Sequence, residues 1–293
     1  MRGTRIKIDW SLTTPSKDNF DRGIDKFRLY LKERGFRDGT IDGYVGNTKR
    51  YLKFAQTDHP SADDYTRFRE SLHTWKLSRS TLNQYGYAMK AYHKMLGEDV
   101  KFTRIEPNNQ IPFYFTNEDV DKIFSVIYNL KHLAIFQTLF FGCLRATELC
   151  NIDDEDLNLK DLTIRIREGK GGRDGIAYIN NTCANTLKEY LRVRPALLIQ
   201  NTQPLFYTDF GQRWRREDLF HIFSTYKKRA GITKHGGVHV FGRHTPATLM
   251  IANGCDIRIV QEVLRHKDIR TTLRYAHVSD KTKREMYEQF LKL

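Results

Sequence analysis

The C-terminal half of the chain carries basic and phenolic side chains of the kinds that can act on a phosphodiester. Arg145 stands in Gly142-Cys143-Leu144-Arg145-Ala146-Thr147-Glu148-Leu149, and Lys170 lies between glycines in Gly169-Lys170-Gly171-Gly172-Arg173. Further on come His239-Val240-Phe241-Gly242-Arg243-His244 and Leu264-Arg265-His266-Lys267, with Tyr275 nine residues after His266. A phosphodiester resists attack because its oxygens are negative and its alkoxide leaves poorly, so side chains must supply positive charge and a proton. An arginine fork suits the first need, gripping non-bridging oxygens and the charge gained in a pentavalent transition state. A lysine can protonate the departing oxygen, a histidine can bind phosphate or accept a proton, and a tyrosine hydroxyl can attack. Taken singly, each has a plainer reading. Arg145 and Glu148 can form a surface ion pair, Lys170 can be solvated in its turn, and His244 can support packing. His266 can sit at a helix end, and Tyr275 is one of 15 tyrosines that can fill a core.

The elements that must position these residues are mostly helical. From Asn19 to about Leu96 apolar residues recur at helical spacing, among them Phe27, Tyr30 and Leu31, then Tyr44, Tyr51, Leu52 and Phe54. Thr40 is the expected N-cap of one helix, Ser61-Ala62-Asp63-Asp64 opens another, and Ser78 to Gly97 holds a fourth. Lys49, Arg50, Arg79 and Lys90 fall on the remaining faces and, with Arg173 of the glycine-rich turn, are the candidate DNA contacts. The string from Thr103 to Thr116, with two prolines and two asparagines, reads as a linker. The expected domains are therefore 15–103, a helical bundle, and 116–293, joined by residues 104–115.

In the second domain Leu162, Ile164 and Ile166 alternate with Thr163, Arg165 and Arg167 before the glycine-rich turn, and Ile176 to Ile179 resume the pattern, predicting a β-hairpin. Thr116, followed by Glu118 and Asp119, opens one helix with acidic residues at its positive end, and others are expected over about 130–141, 182–193, 216–230, 245–253 and 257–264. The fold class is mainly α with a small antiparallel sheet, a helical bundle followed by an α+β domain.

Composition agrees with a globular protein. The 293 residues carry 49 Lys and Arg against 35 Asp and Glu, a net charge of +14 that attracts polyanions and favours a nucleic-acid partner. Four cysteines without a C-x-x-C pair point to a reducing compartment, and the absence of a long apolar run argues against secretion or membrane insertion. A cytoplasmic, nucleoid-associated location is expected.

On these motifs the sequence resembles the tyrosine recombinase (phage integrase) family, in particular its small Xer-type and transposon-borne members, over nearly the whole chain. Arg145 lies in a stretch like the family's G-x-R-x-x-E-L, Lys170 matches the lysine of its hairpin turn, and Arg243 to Thr248 is similar to its R-H-T-x-A-T. The spacings from Arg243 to His266 and on to Tyr275 also fit. One departure stands out. The family's H-x-x-R becomes His239-Val240-Phe241-Gly242-Arg243, with Gly242 as the extra residue, which would turn His239 by about 100° unless a bulge absorbs the insertion.

The resemblance implies a core-binding (SAM-like) N-terminal bundle and a catalytic domain that cleaves and rejoins DNA through a 3′-phosphotyrosyl intermediate, without metal, ATP or other cofactor. Tyr275 would be the nucleophile, with Arg145, Arg243, Lys170, His266 and His239 catalytic and Glu148 and His244 supporting. The partner would be double-stranded DNA bearing recombination sites, bound by a dimer per site and a tetramer in the synapse. The tail from Ser279 to Leu293, with Met286, Tyr287, Phe290 and Leu291 at helical spacing, would pass between subunits. Two other readings stay open at this level: a DNA-binding regulator with impaired catalysis, and a type IB topoisomerase-like enzyme.

Overall fold

In the computed structural model, residues 17–106, 112–167, 174–276, 284, 287, 288 and 291 are described, and the chain divides into two units, Met1–Asn108 and Asn109–Leu293. The first unit is built of α1 (Lys17–Glu33), α2 (Asp38–Ala55), α3 (Ala62–Thr74) and α4 (Arg79–Met95). Ile24, Phe27 and Leu31 of α1, Ile41, Val45 and Leu52 of α2, Phe68 and Leu72 of α3, and Tyr85, Met89 and Tyr92 of α4 form its core. Their i, i+3, i+4, i+7 spacing puts one apolar stripe on each helix, which is what drives four amphipathic helices together. The serine starts are as expected. Ser61 closes a capping box with Asp64, and the Ser78 hydroxyl accepts the Thr81 N–H at 3.1 Å. Thr40 is not a cap. α2 begins two residues earlier, after the extended Arg37, and Asp38 occupies the positive helix end while the Thr40 N–H already donates to the Arg37 carbonyl.

The second unit opens with α5 (Asn117–Ser125), capped by Thr116 and Asp119, and α6 (Leu130–Phe141), capped by Asn129. A short α7 (Ala146–Cys150) and a 3-10 turn lead to β1 (Leu157–Asn158), β2 (Thr163–Ile166) and β3 (Gly175–Tyr178). The sheet is antiparallel in the order β1-β2-β3, with Ile164 opposite Leu157 on one side and Ala177 on the other. The hairpin thus gains a third strand, two residues long. Then follow α8 (Asn181–Val193), α9 (Arg216–Arg229), a π-turn at Val240–His244, α10 (Thr245–Ala252), α11 (Ile257–Val263) and α12 (Ile269–Leu273).

Phe241, in the π-turn, is the hub of the core. Its ring meets those of Phe115, Phe124, Phe136, Phe140 and Phe223 at centroid distances of 5.0 to 6.4 Å. Burying such a ring contributes about 2–3 kcal/mol, which ties the turn to the core whatever the residues around Phe241 do. Cys143, Cys150 and Cys183 are buried free thiols, and Cys255 is partly exposed. Among the described residues no helix is long and apolar enough to cross a membrane.

Candidate active site

The chain reverses after α6 through Gly142 and Cys143, and Cys143 takes a left-handed φ of +47°. Arg145 follows as the residue before α7. Its backbone N–H donates to Glu148 Oε2 at 2.9 Å, and its guanidinium pairs with Glu148 Oε1. This is not a surface ion pair, because the Glu148 side chain is only 5% exposed. Burial pushes the Glu148 carboxyl upward, but the charge of Arg265 and then the hydrogen bonds and charge of Arg145 outweigh it and hold the group below the usual range.

Arg243 is buried to 2% and comes from the π-turn. It donates from Nη1 to the Cys143 carbonyl at 2.6 Å and from Nη2 to the Leu264 carbonyl at 2.5 Å. Burial, followed by the neighbouring charge of Arg145, lowers its pKa to about 10, so it remains a cation at neutral pH. Two backbone carbonyls therefore fix the direction of a charge that would otherwise be costly to bury.

Gly242, the extra residue on the resemblance, sits in a widened turn. From Val240 to His244 the helix widens, and the Thr245 N–H reaches back to the Val240 carbonyl, a five-residue step. A Cβ on Gly242 would stand 2.7 Å from Leu139 Cγ and 3.1 Å from the Leu144 carbonyl, so a bare glycine is needed there. The wide turn sets His239 and His244 edge to face, with ring centroids 4.8 Å apart. On the other side of His244, its Nδ1 shares a 2.6 Å hydrogen bond with the Tyr275 hydroxyl. Tyr275 follows α12 and packs, 5% exposed, with Cys143, Ala247, Val260 and Leu264. Burial raises the phenol pKa while Arg243, Arg274 and Arg145 oppose the rise, so the hydroxyl feels both site arginines. Burial, then the neighbouring His239, Arg274 and Arg243, lower the His244 pKa to about 4, which leaves a neutral imidazole against the phenol.

The fold thus brings together Arg145, Glu148, Arg243, His244 and Tyr275, with His239 one ring further out on the exposed side. His266 lies two residues after Leu264, and its Nδ1 is 2.9 Å from Thr272 Oγ1 on α12. Lys170 and Arg173 lie outside the described residues. Lys49 and Arg50 on α2 and Arg79 and Lys90 on α4 are exposed in the first unit, where Arg50 also donates to the Tyr85 hydroxyl at 3.0 Å.

One charged member was not singled out by sequence reasoning. Arg265 donates from Nη2 to both the Cys143 carbonyl and Glu148 Oε2, each at 3.0 Å. Its place beside His266 was the available signal, but its own backbone is left-handed, φ +54°, a conformation costing a non-glycine residue on the order of 1 kcal/mol. Charge whose direction is fixed by carbonyls beside a buried phenol is an arrangement chemically able to hold an anion next to a nucleophile.

Residues 114–282 match the Phage integrase family, and residues 24–99 match the Phage integrase N-terminal SAM-like domain. The chain belongs to the phage integrase family, the tyrosine recombinases, enzymes that break and rejoin DNA strands. Tyrosine recombinase XerA of Pyrococcus horikoshii is 30% identical over 277 residues, covering 91% of this chain and 92% of that protein. A crystal structure of XerA recombinase, 28% identical, superposes with a TM-score of 0.56 over 93% of this chain and 99% of that one. The XerH site-specific recombinase, solved in a post-cleavage complex with a palindromic difH substrate, shares the fold at a TM-score of 0.71 and 19% identity, over 91% of this chain and 84% of that one.

Proposed function

We propose that this recombinase cleaves one DNA strand with Tyr275. The phenolic oxygen gives its proton to the neutral imidazole of His244 and attacks phosphorus, and the 5′ oxygen departs with a proton from Lys170, leaving a 3′-phosphotyrosyl bond. That bond keeps the free energy of the phosphodiester, so a second 5′-hydroxyl reverses the step and rejoins the strands without ATP. Arg145 and Arg243 bind the non-bridging oxygens of the transition state, Glu148 orients Arg145, His239 and His266 hydrogen-bond the phosphate, and His244 holds the phenol. The observation that carries this reading is the 2.6 Å bond between His244 and the Tyr275 hydroxyl, within the field of both arginines.

In the assembly we infer, residues 15–103 and 116–293 grip duplex DNA on either side of the linker 104–115. Lys49, Arg50, Arg79, Lys90 and Arg173 contact phosphates, a dimer covers each site, and a tetramer forms the synapse in the cytoplasm. The exchanged tail lies largely outside the described residues; of its apolar set, Tyr287 and Leu291 are exposed. The test uses a nicked duplex built on the sequence the protein itself retains from a randomised duplex pool. Cleavage past the nick traps a covalent protein–DNA adduct, visible in denaturing gels. The wild type should form it and Tyr275→Phe should bind the same duplex without forming any. An adduct that survives in Tyr275→Phe would disprove the nucleophile.

A further inference from the structure

Arg145 and Arg243 face an electrostatic difficulty that the family motif by itself does not resolve. Arg145 is paired with Glu148, a buried carboxylate held ionised. An ion pair of that kind presents little net charge to a third party, because the carboxylate cancels most of the guanidinium's field at short range. With only those groups, the site would offer a phosphate roughly one positive charge. The phosphorane needs more, since attack by a phenolate on a phosphodiester monoanion gathers two negative charges before the 5′ oxygen is protonated.

Arg265 alters that sum. Its Nη2 bonds Glu148 Oε2, the oxygen that also accepts the Arg145 N–H, and the Cys143 carbonyl, the same oxygen that accepts from Arg243. Its Nη1 donates to the Val263 carbonyl at 2.9 Å, and its side chain is 13% exposed. A third guanidinium therefore shares one anchor with each of the other two, and three cations stand against one carboxylate. The neighbouring strand is shaped around it: a Cβ on Gly175, the first residue of β3, would lie 2.8 Å from Arg265 Cδ. The left-handed backbone at Arg265 and the bare Gly175 are separate concessions that admit the same side chain.

We infer that Arg265 is a positioning residue of the phosphate site, which neutralises Glu148 and braces the Cys143 carbonyl so that Arg145 and Arg243 present their full charge to the scissile phosphate. The inference rests on the strand-cleavage reading above and adds to it a third arginine that acts through the other two.

The experiment measures single-turnover adduct formation on the nicked duplex, beside duplex affinity and thermal stability. Arg265→Gln should slow cleavage by about 10- to 100-fold, less than the roughly 100- to 1000-fold of removing an oxyanion donor itself because Arg265 acts through Arg145 and Arg243, while affinity, set by many other phosphate contacts, changes little. Arg265→Lys should recover part of that rate. Arg265→Gly suits the left-handed backbone and supplies a second deletion relieved of that strain, its folding read from the same thermal stability measurement. The deciding variant is Glu148→Gln combined with Arg265→Gln, which removes one charge of each sign and restores the net charge around the phosphate. It should cleave faster than Arg265→Gln alone. A purely structural role would leave the double variant no faster than Arg265→Gln alone, and that result, or a wild-type rate in Arg265→Gln, would overturn the inference. Wild-type adduct and its loss in Tyr275→Phe report separately on the cleavage reading, so a failure of Arg265 leaves that reading intact; no adduct in the wild type would remove both.

Discussion

The two units deploy positive charge in opposite ways. In the helical unit Lys49 and Lys90 project from α2 and α4 into solvent, where an ammonium keeps its hydration and costs the fold almost nothing, and Arg50 and Arg79 are exposed with one hydrogen bond each, to the Tyr85 hydroxyl and the Glu106 carbonyl. In the second unit Arg243 is withdrawn to 2% exposure and tied to two backbone carbonyls, and Arg145 and Arg265 converge on one buried carboxylate. Holding a duplex requires only the correct sign of charge somewhere along a surface, because phosphates are plentiful and counterion release is insensitive to direction. Stabilising one phosphorane requires a charge whose direction is set before the substrate arrives. On the proposed reading burial sets that direction, and the carbonyls of Cys143 and Leu264 are what make the burial of Arg243 tolerable.

The sharpest way to break this contrast is to keep the buried charge and remove its direction. Arg243→Lys leaves a cation, but a single ammonium cannot span the Cys143 and Leu264 carbonyls and also offer a planar fork to phosphate. Adduct formation should fall by about 100- to 1000-fold, or roughly 2.7–4 kcal/mol of transition-state stabilisation. Equilibrium affinity for the same duplex, measured by fluorescence anisotropy, should stay close to that of the wild type. A lysine variant that cleaves at the wild-type rate would mean that charge alone suffices in the buried site as well.

A smaller effect is expected where the scaffold, not the charge, is disturbed. Gly242→Ala places a methyl group 2.7 Å from Leu139 Cγ and 3.1 Å from the Leu144 carbonyl, inside a core that cannot part without moving Phe241. Overpacking of this sort costs about 1–3 kcal/mol, measurable as a lower urea midpoint at unchanged slope. Since the same turn carries His239, Arg243 and His244, cleavage should decline along with stability.

That glycine also marks how far the sequence is legible. The extra residue between His239 and Arg243 is plain in the string, and so is the choice between a rotated helix and a bulge. What decides between them is Phe241: an α-helical insertion would swing its neighbours by about 100°, and a ring packed against five others cannot follow. Periodicity assigns residues to faces but does not weigh one face against another. Strong local signals were readable for the same reason in reverse. The capping boxes at Ser61 and Thr116 and the apolar run of α6 depend on residues three or four apart, and their helices begin where the caps say. Thr40 shows the limit of that rule, because Asp38 two residues earlier satisfies the helix start better. α12, at five residues, is too short to show a period, and β1, at two, too short to show alternation. Arg265 was in view beside His266, yet its part depends on a left-handed backbone, a carbonyl 122 positions earlier in the chain and the bare Gly175 on another strand. None of these relations leaves a local trace.

The smallest predicted effect tests the exposed side of the contrast. Lys49→Ala combined with Lys90→Ala removes two solvent-facing cations from different helices of the first unit, with no buried partner disturbed, so thermal stability should hold within about 0.5 kcal/mol. If both lysines meet phosphates, the slope of log affinity against log salt should flatten by about 0.9 for each phosphate no longer neutralised, and affinity at low salt should weaken accordingly. Adduct formation at saturating duplex should then match the wild type, since neither lysine belongs to the group of side chains around Tyr275. An unchanged salt slope would take Lys49 and Lys90 out of the interface. A drop in cleavage rate at saturation would instead place an exposed cation in the chemistry, against the division between binding charge outside and catalytic charge within.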